Sequence, residues 1–119
     1  MPQKLNNTKN NLNIKNIKLL IKKYPSPFWV YDGDIICKKI KLLKNFDIIR
    51  YAQKSCSNLN ILRLMQRNKV KIDAVSLGEI ERALLSGFNP NSNDIVFTSD
   101  ILEKETLSKI VEKNIPVNA

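Results

Sequence analysis

The sequence predicts an α/β protein built as an open run of parallel β/α units, the first half of a (β/α)8 TIM-type barrel truncated after about its fourth barrel strand. Segments that favour strands recur roughly every 20 to 25 residues with one helical segment between each pair, the spacing of crossovers in a parallel sheet. The short apolar runs Ile95-Val96-Phe97 and Ile115-Pro116-Val117 suit strands covered on both faces. No glycine-rich phosphate loop follows any strand. The three glycines, Gly33, Gly78 and Gly87, are scattered, which argues against a dinucleotide-binding fold. A complete barrel takes about 250 residues, and this run supplies about half. With 119 residues and 43% apolar content, the chain has material for one modest core and not for two full domains. The expected division is a polar tail with a short amphipathic helix over 1–27, then a partial barrel with a preceding strand and helix over 28–119.

Met1 to Asn13 is polar and Asn-rich and is expected to be poorly ordered. From Ile14 to Tyr24, Ile14, Ile17, Leu20, Ile21 and Tyr24 recur at helical spacing with lysines between them, predicting an amphipathic helix that Pro25 and Pro27 stop. Phe28 to Tyr31 reads as a strand, Asp32-Gly33 as a turn, and Ile35 to Phe46 as a second helix. Trp29 and Tyr31 are expected as core or interface aromatics. Asp47 to Lys54 favours a strand, with Arg50, Ala52 and Lys54 on one face and Ile49, Tyr51 and Gln53 on the other. Ser55, Ser57 and Asn58 then turn the chain and cap the helix Leu59 to Asn68, whose Ile61, Leu62, Leu64 and Met65 face inward. Val70 to Val75 is the next strand. Ser76 with Glu79 forms a capping box for a helix that buries Ile80, Ala83 and Leu84, and Gly87 ends it in a left-handed conformation. After the turn Asn89-Pro90-Asn91 come the strand Ile95 to Thr98, a helix running to Asn114 with Leu107, Ile110 and Val111 inward, and a strand opening at Ile115.

The net charge of +9 raises the question of nucleic acid or an anionic membrane. Against both, the basic residues are mostly Lys rather than Arg, spread over the whole chain, and accompany an excess of Asn and Ile. That trio reflects AT-rich codons more simply than a binding patch, so neither a nucleic-acid nor a membrane partner is expected. No apolar run approaches a membrane span and no signal-peptide core is visible. Cys37 and Cys56 form no CxxC and no metal-ligand spacing, which suits a reducing cytoplasm. The chain has no His, which removes the usual base for a cysteine nucleophile, His acid/base chemistry and most zinc sites; no metal is expected.

Lys54 is the candidate reactive group. It sits where a strand hands over to a helix, the place where α/β sheets and barrels put their chemistry, and Ala52 leaves room beside it. A lysine there suits Schiff-base formation with a carbonyl compound. Most strand-end lysines are simply solvated, and position alone does not separate these readings. Arg50, deeper on the same face, is expected to be a structural partner of a carboxylate.

Three stretches, W-V-Y-D at Trp29 to Asp32, Y-A-Q-K-S-C-S-N at Tyr51 to Asn58 and V-S-L-G-E-I-E-R-A-L at Val75 to Leu84, resemble in order and spacing the N-terminal part of the diaminopimelate decarboxylase family. These are pyridoxal-phosphate enzymes of the alanine-racemase-like barrel class. The resemblance implies that Lys54 holds pyridoxal 5'-phosphate and that Asp73, at the matching point of the next strand, approaches it. It further implies that the intact enzyme, a homodimer, decarboxylates meso-diaminopimelate to L-lysine. Burial among apolar barrel residues is expected to favour the neutral amine of Lys54. The family's phosphate site, the acidic partner of the pyridine nitrogen, the stacked histidine and the substrate-binding arginines fall beyond Ala119. A chain of this length alone is therefore expected to be inactive, and to be a partial sequence or truncated gene. Two alternatives stand beside this: a decarboxylase of another basic amino acid, arginine or ornithine, and a non-catalytic basic binding protein on the same scaffold.

Overall fold

The computed structural model describes residues 12–98 and 103–118. The tail over 1–11 and the segment 99–102, where the last helix is expected to begin, lie outside them. The chain divides into two units, Met1–Ile36 and Cys37–Ala119.

In the first unit, helix α1 (Ile14–Lys23) starts on Asn13, whose Oδ1 accepts from the Asn16 amide at 2.9 Å, and ends with Lys22 and Lys23 against its negative pole. The apolar stripe at helical spacing is present, yet no residue of α1 is buried. The Tyr24 and Phe28 rings meet edge to face at 6.2 Å, and the Lys23 ammonium lies 5.4 Å from the centre of the Tyr24 ring. The strand expected over Phe28 to Tyr31 does not form: no described strand pairs with this segment, and a strand needs a neighbour for its backbone groups. Trp29 is 90% exposed and so is not a core aromatic. Asp32-Gly33, expected as a turn, instead starts helix α2 (Gly33–Leu42). The Asp32 carboxylate accepts from the amides of Asp34 at 2.9 Å and Ile35 at 3.2 Å, so the helix begins before Ile35. It stops at Leu42, short of Phe46.

In the second unit four strands, β1 (Arg50–Ala52), β2 (Lys71–Ala74), β3 (Ile95–Thr98) and β4 (Val117–Asn118), pair in parallel in the order β1-β2-β3-β4. Helices α3 (Leu59–Arg67), α4 (Leu77–Leu85) and α5 (Lys104–Glu112) follow the first three strands. Sequential parallel strands joined by helices are the arrangement of the first half of a (β/α)8 barrel. No helix among the described residues is long and apolar enough to cross a membrane.

The three helices end alike. Lys69 (φ 58°), Gly87 (φ 95°) and Asn114 (φ 54°) are left-handed. The next amide in each case reaches back into the last turn, from Val70 to Met65 O at 3.0 Å, Phe88 to Ala83 O at 3.2 Å and Ile115 to Ile110 O at 3.2 Å. Val70, Phe88 and Ile115 are buried, so each closure seals a hydrophobic contact as it turns the chain into the next strand.

Ile72 and Ala74 of β2 and Ile95 and Phe97 of β3 are buried on one face of the sheet, with Ile61, Leu62 and Met65 of α3, Ile80 and Ala83 of α4 and Ile110 of α5 completing the core. Leu64, Leu84 and Leu107 are only half-buried. Val111, expected inward, is 67% exposed, because one residue of α-helix rotates a side chain about 100° away from the Ile110 position. The opposite sheet face carries Arg50, Ala52, Lys71, Asp73, Val96 and Thr98; the strands expected to be covered on both faces are fully buried on one only.

Candidate active site at the C-terminal edge of the sheet

The polar face of the sheet has two ends. At the N-terminal end of the strands, Arg50 donates from Nη1 to Ile72 O and from Nη2 to the carbonyl and side-chain oxygens of Asn93, each at 3.2 Å. Lys71 Nζ donates to Ser92 O at 3.3 Å and Asn93 O at 3.1 Å and lies 3.8 Å from Asp94 Oδ1. Asn93 is left-handed (φ 56°), a conformation Asn tolerates, and so turns its carbonyl towards both cations. Arg50 therefore pairs with carbonyl and amide oxygens rather than the carboxylate expected for it, since backbone rather than an acid meets it across the neighbouring strands.

At the other end β1 stops at Ala52 and the chain tightens into a 3-10 turn over Gln53–Ser55, so Lys54 lies just past the strand rather than closing it. The cause is local. Cys56 N donates to Gln53 O at 3.0 Å and Ser57 Oγ to the same oxygen at 3.3 Å, while Tyr51 Oη donates to Cys56 O at 3.1 Å. Ser55 Oγ has two acceptors within 2.9 Å, Ala52 O and Tyr51 Oη. Serine hydroxyls and the tyrosine supply backbone partners that compete with a continued ladder. Asn58 then caps α3, accepting from the Asn60 amide at 2.9 Å. The turn leaves Lys54 exposed at the end of this four-strand sheet; the burial expected for it belongs to a closed barrel.

Asp73 stands on β2 between Ala52 of β1 and Val96 of β3. It thus occupies the strand beside the one that delivers Lys54, near the same end of the sheet. Asp73 Oδ1 is buried and has no hydrogen-bond partner. Gln53 Oε1 shares that condition, although Gln53 Nε2 donates to Glu79 O at 2.8 Å. Buried polar atoms without partners are uncommon, and among the described residues both side-chain examples lie at this end. Gln53 was not among the residues singled out by sequence. Its signal is slight: a polar residue on the strand face opposite Lys54, where an apolar one belongs.

Ser76 and Glu79 form half of the expected capping box. Ser76 Oγ accepts from the Glu79 amide at 3.2 Å, but Glu79 Oε2 reaches past Ser76 to the Val75 amide at 2.8 Å. Further along α4, Arg82 Nη1 donates to Ser57 O at 3.2 Å. The site thus combines an exposed amine at a strand end, a neighbouring carboxylate oxygen without a donor, and a tightly bonded turn braced on α4. An exposed amine can attack an aldehyde, and Asp73 on the adjacent strand carries an oxygen that no protein donor occupies.

The family model described as "Pyridoxal-dependent decarboxylase, pyridoxal binding domain" matches residues 33–119. The diaminopimelate decarboxylase of Buchnera aphidicola subsp. Acyrthosiphon pisum is 71% identical over 119 residues, which is 100% of this chain and 29% of that protein. A crystal structure of a diaminopimelate decarboxylase superposes with a TM-score of 0.90 at 50% identity, covering 99% of this chain and 28% of that one. The structure of diaminopimelate decarboxylase from Helicobacter pylori complexed with L-lysine superposes with a TM-score of 0.74 at 33% identity, over 87% of this chain and 28% of that one. The chain spans about 29% of the length of the curated relatives it matches.

Proposed function

The chain belongs to the pyridoxal-dependent decarboxylase family, and from that premise we propose that it supplies the cofactor lysine, Lys54, to a diaminopimelate decarboxylase. The observation that carries this reading is the pairing of an exposed Lys54 at the end of β1 with Asp73 Oδ1, a buried acceptor without a donor on the adjacent strand. These residues fit pyridoxal 5'-phosphate. The Lys54 amine is the covalent attachment point for its aldehyde, and Asp73 offers the group an oxygen that no protein donor occupies.

Pyridoxal phosphate, when bound, supplies an electron-accepting ring that takes up the electron pair left as a carboxylate departs as carbon dioxide. Lys54 would hold the group through its amine and Asp73 would face it from the next strand, while the bonded turn over Gln53–Ser55 keeps the amine at the strand end. For meso-diaminopimelate, one carboxylate leaves as carbon dioxide and a proton takes its place on carbon, giving L-lysine. The reading includes a homodimer in the cytoplasm, acting on a free amino acid and binding neither nucleic acid nor membrane.

A chimera tests it. In the Buchnera relative, this chain replaces the 119 residues it matches. With pyridoxal phosphate, the chimera is expected to release carbon dioxide from meso-diaminopimelate and to lose that activity on Lys54→Ala. Release from ornithine or arginine instead would reassign the substrate. Inactivity towards all three, with steeply salt-dependent retention of the chain on DNA or RNA, would support the basic binding protein.

A further inference from the structure

We propose that Gln53 is a positioning residue for Lys54: its buried side-chain amide pins the turn that carries the lysine to the first part of α4. The inference rests on the reading of Lys54 above. Gln53 is 0% exposed and opens the 3-10 turn in which Lys54 is the central residue. Its Nε2 donates to Glu79 O at 2.8 Å, and its backbone carbonyl receives both the Cys56 amide at 3.0 Å and Ser57 Oγ at 3.3 Å. The far side of the turn is fastened to the same helix, where Arg82 Nη1 holds Ser57 O at 3.2 Å. Glu79 and Arg82 are separated by three positions on α4 and share a helix face, so one helix face grips the turn before and after Lys54.

Core filling does not account for this amide. Glu79 lies inside α4, where its carbonyl already belongs to the helix ladder, so the helix does not need the Gln53 donor. Gln53 Oε1 is buried without a partner, a cost that a methionine of similar size would not carry. Placement of the turn is what the amide adds. Lys54 itself has flexible bonds along its whole side chain, so its backbone must be fixed for the amine to meet an aldehyde in one place.

The test compares the unmodified 119-residue chain with Gln53→Met, which keeps volume and removes the donor, and with Arg82→Met, which releases the second tie from an exposed position. Each is incubated with pyridoxal phosphate, reduced with borohydride and mapped by peptide mass spectrometry. Amide hydrogen exchange at Cys56 and the melting temperature are measured in parallel. The expected result for Gln53→Met is a melting temperature near that of the unmodified chain and exchange at Cys56 faster by tenfold or more. The share of adduct on Lys54 is expected to fall several-fold towards that of other exposed lysines. Arg82→Met is expected to move both readouts in the same direction by less. A Gln53→Met chain that keeps selective labelling and slow Cys56 exchange would overturn the positioning role while leaving Lys54 as the cofactor lysine. An unmodified chain that labels its lysines without preference would overturn the positioning role in this chain, while the Lys54 assignment stands or falls on loss of activity in the Lys54→Ala chimera.

Discussion

The two ends of the sheet's polar face are built from similar residues and do opposite things. At the N-terminal end, Arg50 donates to Ile72 O of β2 and to Asn93, Lys71 donates to the Ser92 and Asn93 carbonyls of the loop before β3, and Asp94 lies beside Lys71. At the C-terminal end, Lys54 is exposed and Asp73 Oδ1 is buried without a partner, while Gln53 Oε1, also without one, belongs to the other side of the sheet, towards α4. Charges that are satisfied hold a fold together, whereas a buried polar atom left without a partner marks where something else can be held. The left-handed closures at Lys69 and Gly87 lead into β2 and β3 and so belong to the structural end.

Substitutions at the two ends should therefore separate binding from stability. The largest effect is expected from Lys54→Ala, which should abolish borohydride-trapped adduct at that position. Because Lys54 is exposed, the variant's unfolding free energy from a urea titration should stay within about 0.5 kcal/mol of the parent's. Arg50→Met should do the reverse. It strips donors from Ile72 O and Asn93 at a part-buried position, so urea titration should show a loss of about 1–3 kcal/mol, with Lys54 still the preferred site of labelling in the folded fraction.

Asp73→Ala should fall between them. Removing a carboxylate whose buried oxygen has no partner should cost less than about 1 kcal/mol of stability, while the pyridoxal phosphate concentration needed for half-maximal labelling of Lys54 rises about tenfold. A smaller change is expected at the structural end from Gly87→Ala. A Cβ at φ 95° strains the closure of α4, for a loss of about 1 kcal/mol by thermal or urea unfolding and no change in labelling pattern.

The smallest effect belongs to neither end. On α5 a hydrogen bond of 2.6 Å from Lys109 holds Glu105 below the usual carboxylate range, and the opposite charge adds to it. A lowered folded-state value means that the pair's support of the helix is present above the ordinary Glu range and lost as pH falls through the lowered one. An NMR titration of Glu105 should show a depressed midpoint that returns towards that of free Glu in 1 M salt, with no measurable change in the melting temperature.

What was legible in the sequence is what depends on neighbours along the chain. Apolar periodicity located the helices and strands of the β/α run, and Ser76, Asn58 and Gly87 mark helix ends through effects acting over a few residues. What was missed depends on distant partners or on conformations without a residue signature. The expected strand at Phe28 to Tyr31 lacked only a neighbour to pair with, which alternation cannot supply. Lys69 closes α3 in the same left-handed conformation as Gly87 closes α4, although nothing in a lysine announces it. Arg50 finds oxygens on Ile72 and Asn93, far along the chain, where a carboxylate was expected. At the site, motif and strand-end position pointed to Lys54, and the resemblance to Asp73. Gln53 became visible only when its buried amide was seen resting on Glu79.

The most direct test of the division between the ends is the map of pyridoxyl adducts across the lysines of the folded chain. Lys54 marks the C-terminal end, and Lys71, beside a cavity of about 350 Å³ also lined by Lys69 and Asp94, marks the other. Adduct concentrated on Lys54, and lost in Lys54→Ala without moving to Lys71 or Lys69, is the result predicted here. Adduct concentrated on Lys71 or Lys69, with Lys54 no more reactive than a solvent-exposed lysine, would contradict it.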